Sequence, residues 1–201
     1  LANLPSRYAE LYSSPNKLLS NHVQSGHPNH GNRSQHFRGD RSEYIKLIKR
    51  MLSNGMVALT DNPKCVNNLF TVPKDADSQR LIIDGRWANL GFVQPEKISL
   101  PTPDILSELF VPDTHNSLLF VAKCDISDFY HNLMIPEWLT EFFGLPRVSF
   151  RELGIDRDGY TFPNCLTLLM GLSYSVRLAR LVPAHIGSRA GISAMSPALC
   201  R

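Results

Sequence analysis

No uninterrupted apolar run in this 201-residue chain approaches the ~20 residues that a membrane-spanning helix requires. The N-terminus has no apolar core of the secretory type. Cysteine is scarce and scattered. Cys65, Cys124, Cys165 and Cys200 form no C-x-x-C pair, which argues against a zinc framework or a disulfide scaffold and suits a reducing compartment. Cys124 and Cys165 lie in apolar runs and read as small core residues. Charge of one sign is also in short supply. With 21 Lys and Arg against 18 Asp and Glu, the formal net charge is only +3. That balance permits nucleic-acid binding without demanding it. No internal repeat is present. These absences point to a soluble intracellular protein, cytoplasmic or nuclear, with no membrane partner.

What is present is enough apolar material, 43% of residues, for one core. Residues 1–40 are rich in Ser, Asn, His, Gly and Pro with little periodicity, so they are expected to form a disordered leader. His22, His27, His30 and His36 lack Cys or carboxylate partners at ligand spacing and read as part of a polar tail. The composition and patterning place one domain over residues 41–186 and a patternless, disordered tail over 187–201.

Within the domain, Tyr44, Ile45, Leu47, Ile48, Met51 and Leu52 recur at helical spacing, predicting a helix over Ser42–Ser53 that stops at Gly55. Its Lys46, Lys49 and Arg50 read as a solvated basic face. Val66–Val72 and Arg80–Ile83 read as strands around the polar loop KDADSQ, hence a hairpin. Thr102 and Pro103 open a short helix through Leu109. Leu118–Asp125 reads as a buried strand and Pro136–Glu141 as a helical turn. Phe142–Leu145 and Tyr160–Phe162 flank a loop in which Asp156–Gly159 carries turn chemistry. A last helix is expected over Ser173–His185. The fold class is α+β.

Three segments carry candidate chemistry. AKCDISDFYHNLMIP (Ala122–Pro136) delivers Asp125 and Asp128 at the end of an apolar strand, where a carboxylate is held rigidly enough to ligate a metal. A strand-end cap is the simpler reading of such a pair. NLFTVPKDADSQRLIIDGRWAN (Asn68–Asn89) holds Lys74 and Arg80 near a hairpin tip, otherwise a solvated turn. FPNCLTLLMGLSYSV (Phe162–Val176) runs an apolar segment into Met170-Gly171. In this order and spacing the three resemble the fingers hairpin, first aspartate motif and template-grip motif of a reverse transcriptase, over roughly residues 57–186.

The resemblance implies reverse-transcriptase-like fingers with a partial palm, and two-metal nucleotidyl transfer that extends a primer with deoxynucleoside triphosphates on an RNA or DNA template. Asp125 would be the catalytic metal ligand for Mg2+ or Mn2+, with the backbone carbonyl of Ile126 beside it. Asp128 would sit near the triphosphate. Lys74 and Arg80 would close over it and neutralise the charge that grows during transfer. Tyr130 would pack under the incoming sugar and exclude a 2′ hydroxyl; as a bare residue it reads equally as a core tyrosine. Met170 and Gly171 would let the backbone approach nucleotide or template closely, although Leu169 stands where the family has proline. Asp84, Arg86 and Asn89 resemble an adjoining structural, template-side element. Ser175 reads as an ordinary helix residue.

The family's second catalytic element, an aromatic-x-Asp-Asp turn, has no counterpart, because no Asp-Asp pair occurs in the chain. The sequence ends about where that element would follow. The expectation is therefore a fragment of a retroelement (retrotransposon) polymerase, inactive alone, since hard-cation affinity depends on ligand charge count. The alternative is a non-catalytic nucleic-acid-binding remnant that uses the hairpin and the basic helix to hold a backbone.

Overall fold

A computed structural model of the chain describes residues 4–21, 37, 39–98 and 125–191. Two short helices open it, α1 (Ser6–Ser13) and α2 (Pro15–Leu18), followed by the long helix α3 (Arg41–Ser53). Asp40 caps α3, its carboxylate accepting from the Ser42 and Glu43 amides at 2.7 and 3.2 Å, which satisfies two of the helix's orphan donors. The stripe read from the sequence turns inward: Tyr44, Ile48 and Met51 are buried. The Tyr44 hydroxyl donates to the Pro146 carbonyl at 2.6 Å, so its polar tip is partnered inside the core. Gly55, at φ 64°, reverses the chain after the helix, a conformation that costs a glycine little.

Two sheets follow. β1 (Val57–Thr60), β4 (Val148–Ser149) and β5 (Tyr160–Cys165) form an antiparallel sheet in the order β1-β5-β4, with Val57 opposite Cys165 and Val148 opposite Thr161. β2 (Asn68–Pro73) and β3 (Gln79–Asp84) form the expected hairpin as a separate two-stranded sheet. Its first strand begins later than the sequence suggests. Val66 instead bridges Gly144, and the Asn67 side chain donates to the Phe142 and Gly144 carbonyls at 2.9 and 3.3 Å. The one-turn helix α4 (Arg86–Asn89) leaves β3. A 3-10 turn (Phe129–Asn132), α5 (Glu137–Thr140), α6 (Phe150–Leu153) and α7 (Ser175–Arg189) complete the described elements.

The core sits where these pieces meet. Phe92, Trp138, Phe142 and Phe143 form an aromatic cluster with centroid separations of 5.2 to 6.4 Å. Each ring of this size removes enough apolar area from water to contribute roughly 1.5–3 kcal/mol. Cys65 and Cys165 are buried, and burial raises the two thiols to about 11 and about 12.

The leader expectation needs correction at its start. Leu4, Tyr12 and Leu18 belong to the core, Tyr12 only 1% exposed. Leu18 accepts from the Val93 amide at 2.8 Å, and the Tyr12 carbonyl accepts from the Trp138 indole at 3.1 Å. The signal was Tyr8, Leu11 and Tyr12 at helical spacing, outweighed by the polar stretch that follows. Residues 22–36, with His22, His27, His30 and His36, lie outside the described residues. So do the helix expected after Thr102, the strand expected over Leu118–Asp125 apart from Asp125 itself, Cys124 included, and the tail beyond residue 191. α7 extends past the expected His185 to Arg189 with Pro183 inside it.

Candidate functional site

Pairing geometry puts Lys74 and Arg80 at the hairpin tip. Val72 lies opposite Arg80 and Pro73 opposite Gln79, which leaves Lys74–Ser78 to close the loop. The loop holds itself together: the Lys74 amide donates to the Ser78 carbonyl at 3.0 Å, and the Asp75 carboxylate accepts from the Ser78 hydroxyl and the Asp77 amide at 2.6 and 3.1 Å. Those bonds, the Ser78 hydroxyl foremost, hold the Asp75 carboxyl below its ordinary range. Lys74 and Arg80 are exposed, and neither forms an ion pair among the described residues.

The base of the hairpin is a joint. Asp84 takes a two-pronged contact from Arg86, with Nε and a terminal nitrogen at 2.7 and 2.6 Å, and the guanidinium lowers the Asp84 carboxyl. Behind this pair the chain at Gly171 lies directly on the end of β3. Gly171 adopts φ 127°, and a Cβ there would stand 2.1 Å from the Ile83 carbonyl oxygen. A Cβ on Gly85 would stand 2.6 Å from the Gly171 oxygen. Only two glycines allow backbones this close. The Asn89 side chain closes the joint from both sides, donating to the Gly171 carbonyl at 2.7 Å and accepting from the Ser173 amide at 2.9 Å. The Ser175 hydroxyl, far from being an idle helix residue, donates to the Leu169 carbonyl. Where proline would stiffen this turn, Asn89 and Ser175 restrain it.

The aspartate segment is built differently. Asp125 and Ile126 are exposed. Asp128 sits in the left-handed region at φ 50°, which a short polar side chain tolerates, and starts the 3-10 turn. Its carbonyl accepts from the His131 and Asn132 amides at 2.8 and 3.2 Å. Tyr130 is half-buried, its ring edge-on to Phe129 at 5.9 Å. Beyond the turn the segment ties to the chain that leads into Met170-Gly171: Ile135 donates to Leu166 at 2.9 Å, Leu168 donates to Leu133 at 2.7 Å, and Met134 bridges Thr167. The structure thus joins the third motif to the other two, through Gly171 on one side and residues 133–135 on the other. No hydrogen bond or ion pair among the described residues links Lys74 or Arg80 to Asp125 or Asp128.

For a divalent cation, Asp125 and the Ile126 carbonyl are donors of the right hard-oxygen type. Among the described residues no group of three or more His, Cys, Asp or Glu side chains converges, so these donors fall short of a two-ion site by themselves. Two further structural features escaped sequence reading. Ser149 and Glu152 form a reciprocal capping box on α6, announced by the pattern S-x-x-E. Glu152 also receives a two-pronged contact from Arg41 at 2.7 Å to each oxygen, and that guanidinium, with the Ser149 bonds, lowers the Glu152 carboxyl to about 2.

The mixed helix-and-sheet architecture is similar to a reverse-transcriptase domain. Among the solved structures that match is a foamy viral protease-reverse transcriptase in complex with double-stranded DNA, with a TM-score of 0.53 and 16% sequence identity. The match covers 80% of this chain and 25% of that one, so the chain spans about a quarter of that protein's length. No protein-family model matches the sequence, and no curated protein matches it. At that identity the likeness is one of fold. Among the described residues, no helix is long and apolar enough to cross a membrane.

Proposed function

We propose that the chain is the fingers and part of the palm of a retroelement reverse transcriptase, a nucleotidyltransferase that extends a primer on an RNA or DNA template. The observation that carries this reading is the packing of the Met170-Gly171 turn onto the base of the Lys74/Arg80 hairpin, with the aspartate segment hydrogen-bonded to the chain entering that turn. The fold likeness supports it.

In this reading the exposed Lys74 and Arg80 contact the triphosphate, where cations offset charge that spreads over the phosphoryl oxygens during transfer. Asp125, with the Ile126 carbonyl, offers hard oxygens to Mg2+ or Mn2+, and such ions activate the primer hydroxyl and hold the triphosphate. Tyr130 supplies the ring beneath the sugar. Gly171 and Met170 present bare backbone to nucleotide or template. Arg86, whose side chain is 85% exposed although paired with Asp84, would contact a template phosphate. The exposed rings of Phe70 and Trp87 on the same hairpin and helix offer stacking surface for bases.

Primer extension on an RNA template tests this. The chain alone, with one strong metal carboxylate, is expected to extend nothing. Joined to the aspartate hairpin and thumb of a related polymerase it should extend, and Asp125→Ala should reduce the rate at least about a hundredfold, roughly 3 kcal/mol of lost charge stabilisation. A joined enzyme indifferent to Asp125→Ala would overturn the assignment of the metal ligand. Salt-dependent nucleic-acid binding without extension by the joined protein would favour the binding-remnant alternative.

A further inference from the structure

The β4-β5 pair carries a cleft at the end of β5 remote from the candidate site. Ser149 lies opposite Tyr160, so these side chains and that of Arg147, two residues before Ser149, share one face. Val148 and Thr161 are buried on the other. The chain toward Met170-Gly171 leaves β5 at Cys165. At roughly 3.4 Å per residue of strand, that end stands about 17 Å from Tyr160. Helix α3 supplies the opposite wall. Its Arg41 donates to the Arg147 carbonyl at 3.0 Å and its Tyr44 to the Pro146 carbonyl at 2.6 Å, which pins the chain that carries Arg147. Phe37, stacked on Tyr44 at 4.5 Å, extends the wall. The cleft measures about 410 Å³, within the roughly 300–1,000 Å³ of ligand sites.

Its polar groups are unevenly matched. Both Glu152 oxygens are taken, by Arg41 at 2.7 Å each and by the Ser149 amide and hydroxyl at 2.7 and 2.9 Å. The Arg147 guanidinium has no ion pair among the described residues. It lies over the exposed Tyr160 ring, 4.7 Å from the centroid. The cleft's spare capacity is therefore a donor's, an uncompensated positive charge beside the rings of Tyr160 and Phe37.

We propose that this cleft docks an acidic segment of a partner protein, with a Glu or Asp carboxylate on Arg147 and an adjoining aromatic side chain against Tyr160 and Phe37. A planar guanidinium forks onto a carboxylate, and stacking on a ring holds its donor edge ready. Tyrosine and arginine are among the residue types that dominate contacts between proteins. A nucleic-acid backbone fits less well, because the charges around the cleft alternate in sign. Asp40 precedes Arg41, Arg151 is ion-paired with Asp158, and Asp156 and Arg157 are exposed side by side. An extended polyanion would meet carboxylates on either side, whereas a single acidic side chain reaches Arg147 alone. The proposal stands apart from the nucleotidyl-transfer reading.

Fluorescence-polarisation titration of the full chain against a labelled, capped pentapeptide, Ser-Phe-Glu-Phe-Ser, tests it. The dissociation constant should fall below about 300 μM. Replacing the peptide's Glu by Gln should weaken binding about tenfold, the loss of one charge-assisted contact. That arm leaves the protein unaltered, so it holds even if a substitution in the chain disturbs folding. Arg147→Ala should weaken binding by about the same factor, and Tyr160→Ala about threefold. Arg151→Ala, which removes a guanidinium from outside the cleft, should change it by less than about twofold. Absence of binding by the Glu peptide, equal binding by the Gln peptide, or indifference to Arg147→Ala at an unchanged melting temperature would each overturn the proposal. So would a short single-stranded DNA that binds at least about tenfold more tightly than the peptide and loses that advantage in Arg147→Ala, which would assign the cleft to nucleic acid.

Discussion

The Gly171 joint and the Asp125 loop belong to the same candidate site and stand at opposite ends of local restraint. Gly171 is held by direct backbone contact with Ile83 and by both polar atoms of the Asn89 side chain. Asp125 is exposed, and among the described residues the nearest hydrogen bonds from its segment to a distant part of the chain are at residues 133–135. A joint between two elements must be rigid to align them, so its residues carry stability. On the proposed function, a carboxylate that waits for an ion arriving with substrate needs no internal partner, so its residue would carry little. The contrast separates what builds the site from what would act in it.

Substitution at the joint is expected to have the largest effect. Gly171→Ala places a methyl carbon 2.1 Å from a backbone oxygen at a φ of 127°. Backbone, unlike a flexible side chain, cannot swing aside, so the loss should be about 3 kcal/mol or more in urea unfolding. A loss below about 1 kcal/mol would show that the joint adapts, and would break the contrast.

An intermediate effect belongs to the Arg41–Glu152 contact, which fastens α3 to α6. Glu152 is lowered to about 2, chiefly by the Arg41 guanidinium, against an ordinary glutamate value near 4.3. A depressed carboxyl contributes stability that is fully present above its unfolded value and is lost as pH falls through its folded one. The melting temperature should therefore fall more steeply from pH 5 to about pH 2 in the unmodified chain than in Glu152→Gln. The Glu152 side chain is 32% exposed, and solvent screening holds the difference to about 1 kcal/mol. Parallel pH profiles would show that the contact contributes nothing.

The smallest effect is expected at Asp125. Asp125→Ala should change unfolding stability by less than about 0.5 kcal/mol, as at an exposed position with no side-chain partner among the described residues, while abolishing extension in the joined enzyme. A large loss of stability would make Asp125 a structural residue and erase the difference between the two regions.

Local patterns carried much of the fold. The α3 stripe, the hairpin around KDADSQ and the turn at Pro136–Glu141 were legible because periodicity and turn chemistry are short-range signals. The capping box at Ser149 escaped the reading although its S-x-x-E pattern is local, because the segment around it otherwise reads as loop. The leader was misjudged at its beginning because composition averaged over residues 1–40 conceals one helical turn of Tyr8, Leu11 and Tyr12. Of the candidate site, the residue types and their order were visible. The seating of Gly171 on the base of the hairpin was not, because nothing local records a partner so far along the chain.

The sequence by itself determined α3, most of α7, the hairpin and the ordered motifs, since each depends on residues within a turn or two of one another. Only the tertiary structure decided that Gly85 and Gly171 touch, that Asn89 clamps the turn after β5, that Tyr12 is a core residue and that Arg41 of α3 grips Glu152. Those pairings join positions roughly 80 or more residues apart in the chain, where loop closure must be offset by packing of the whole core and no local pattern records the partner.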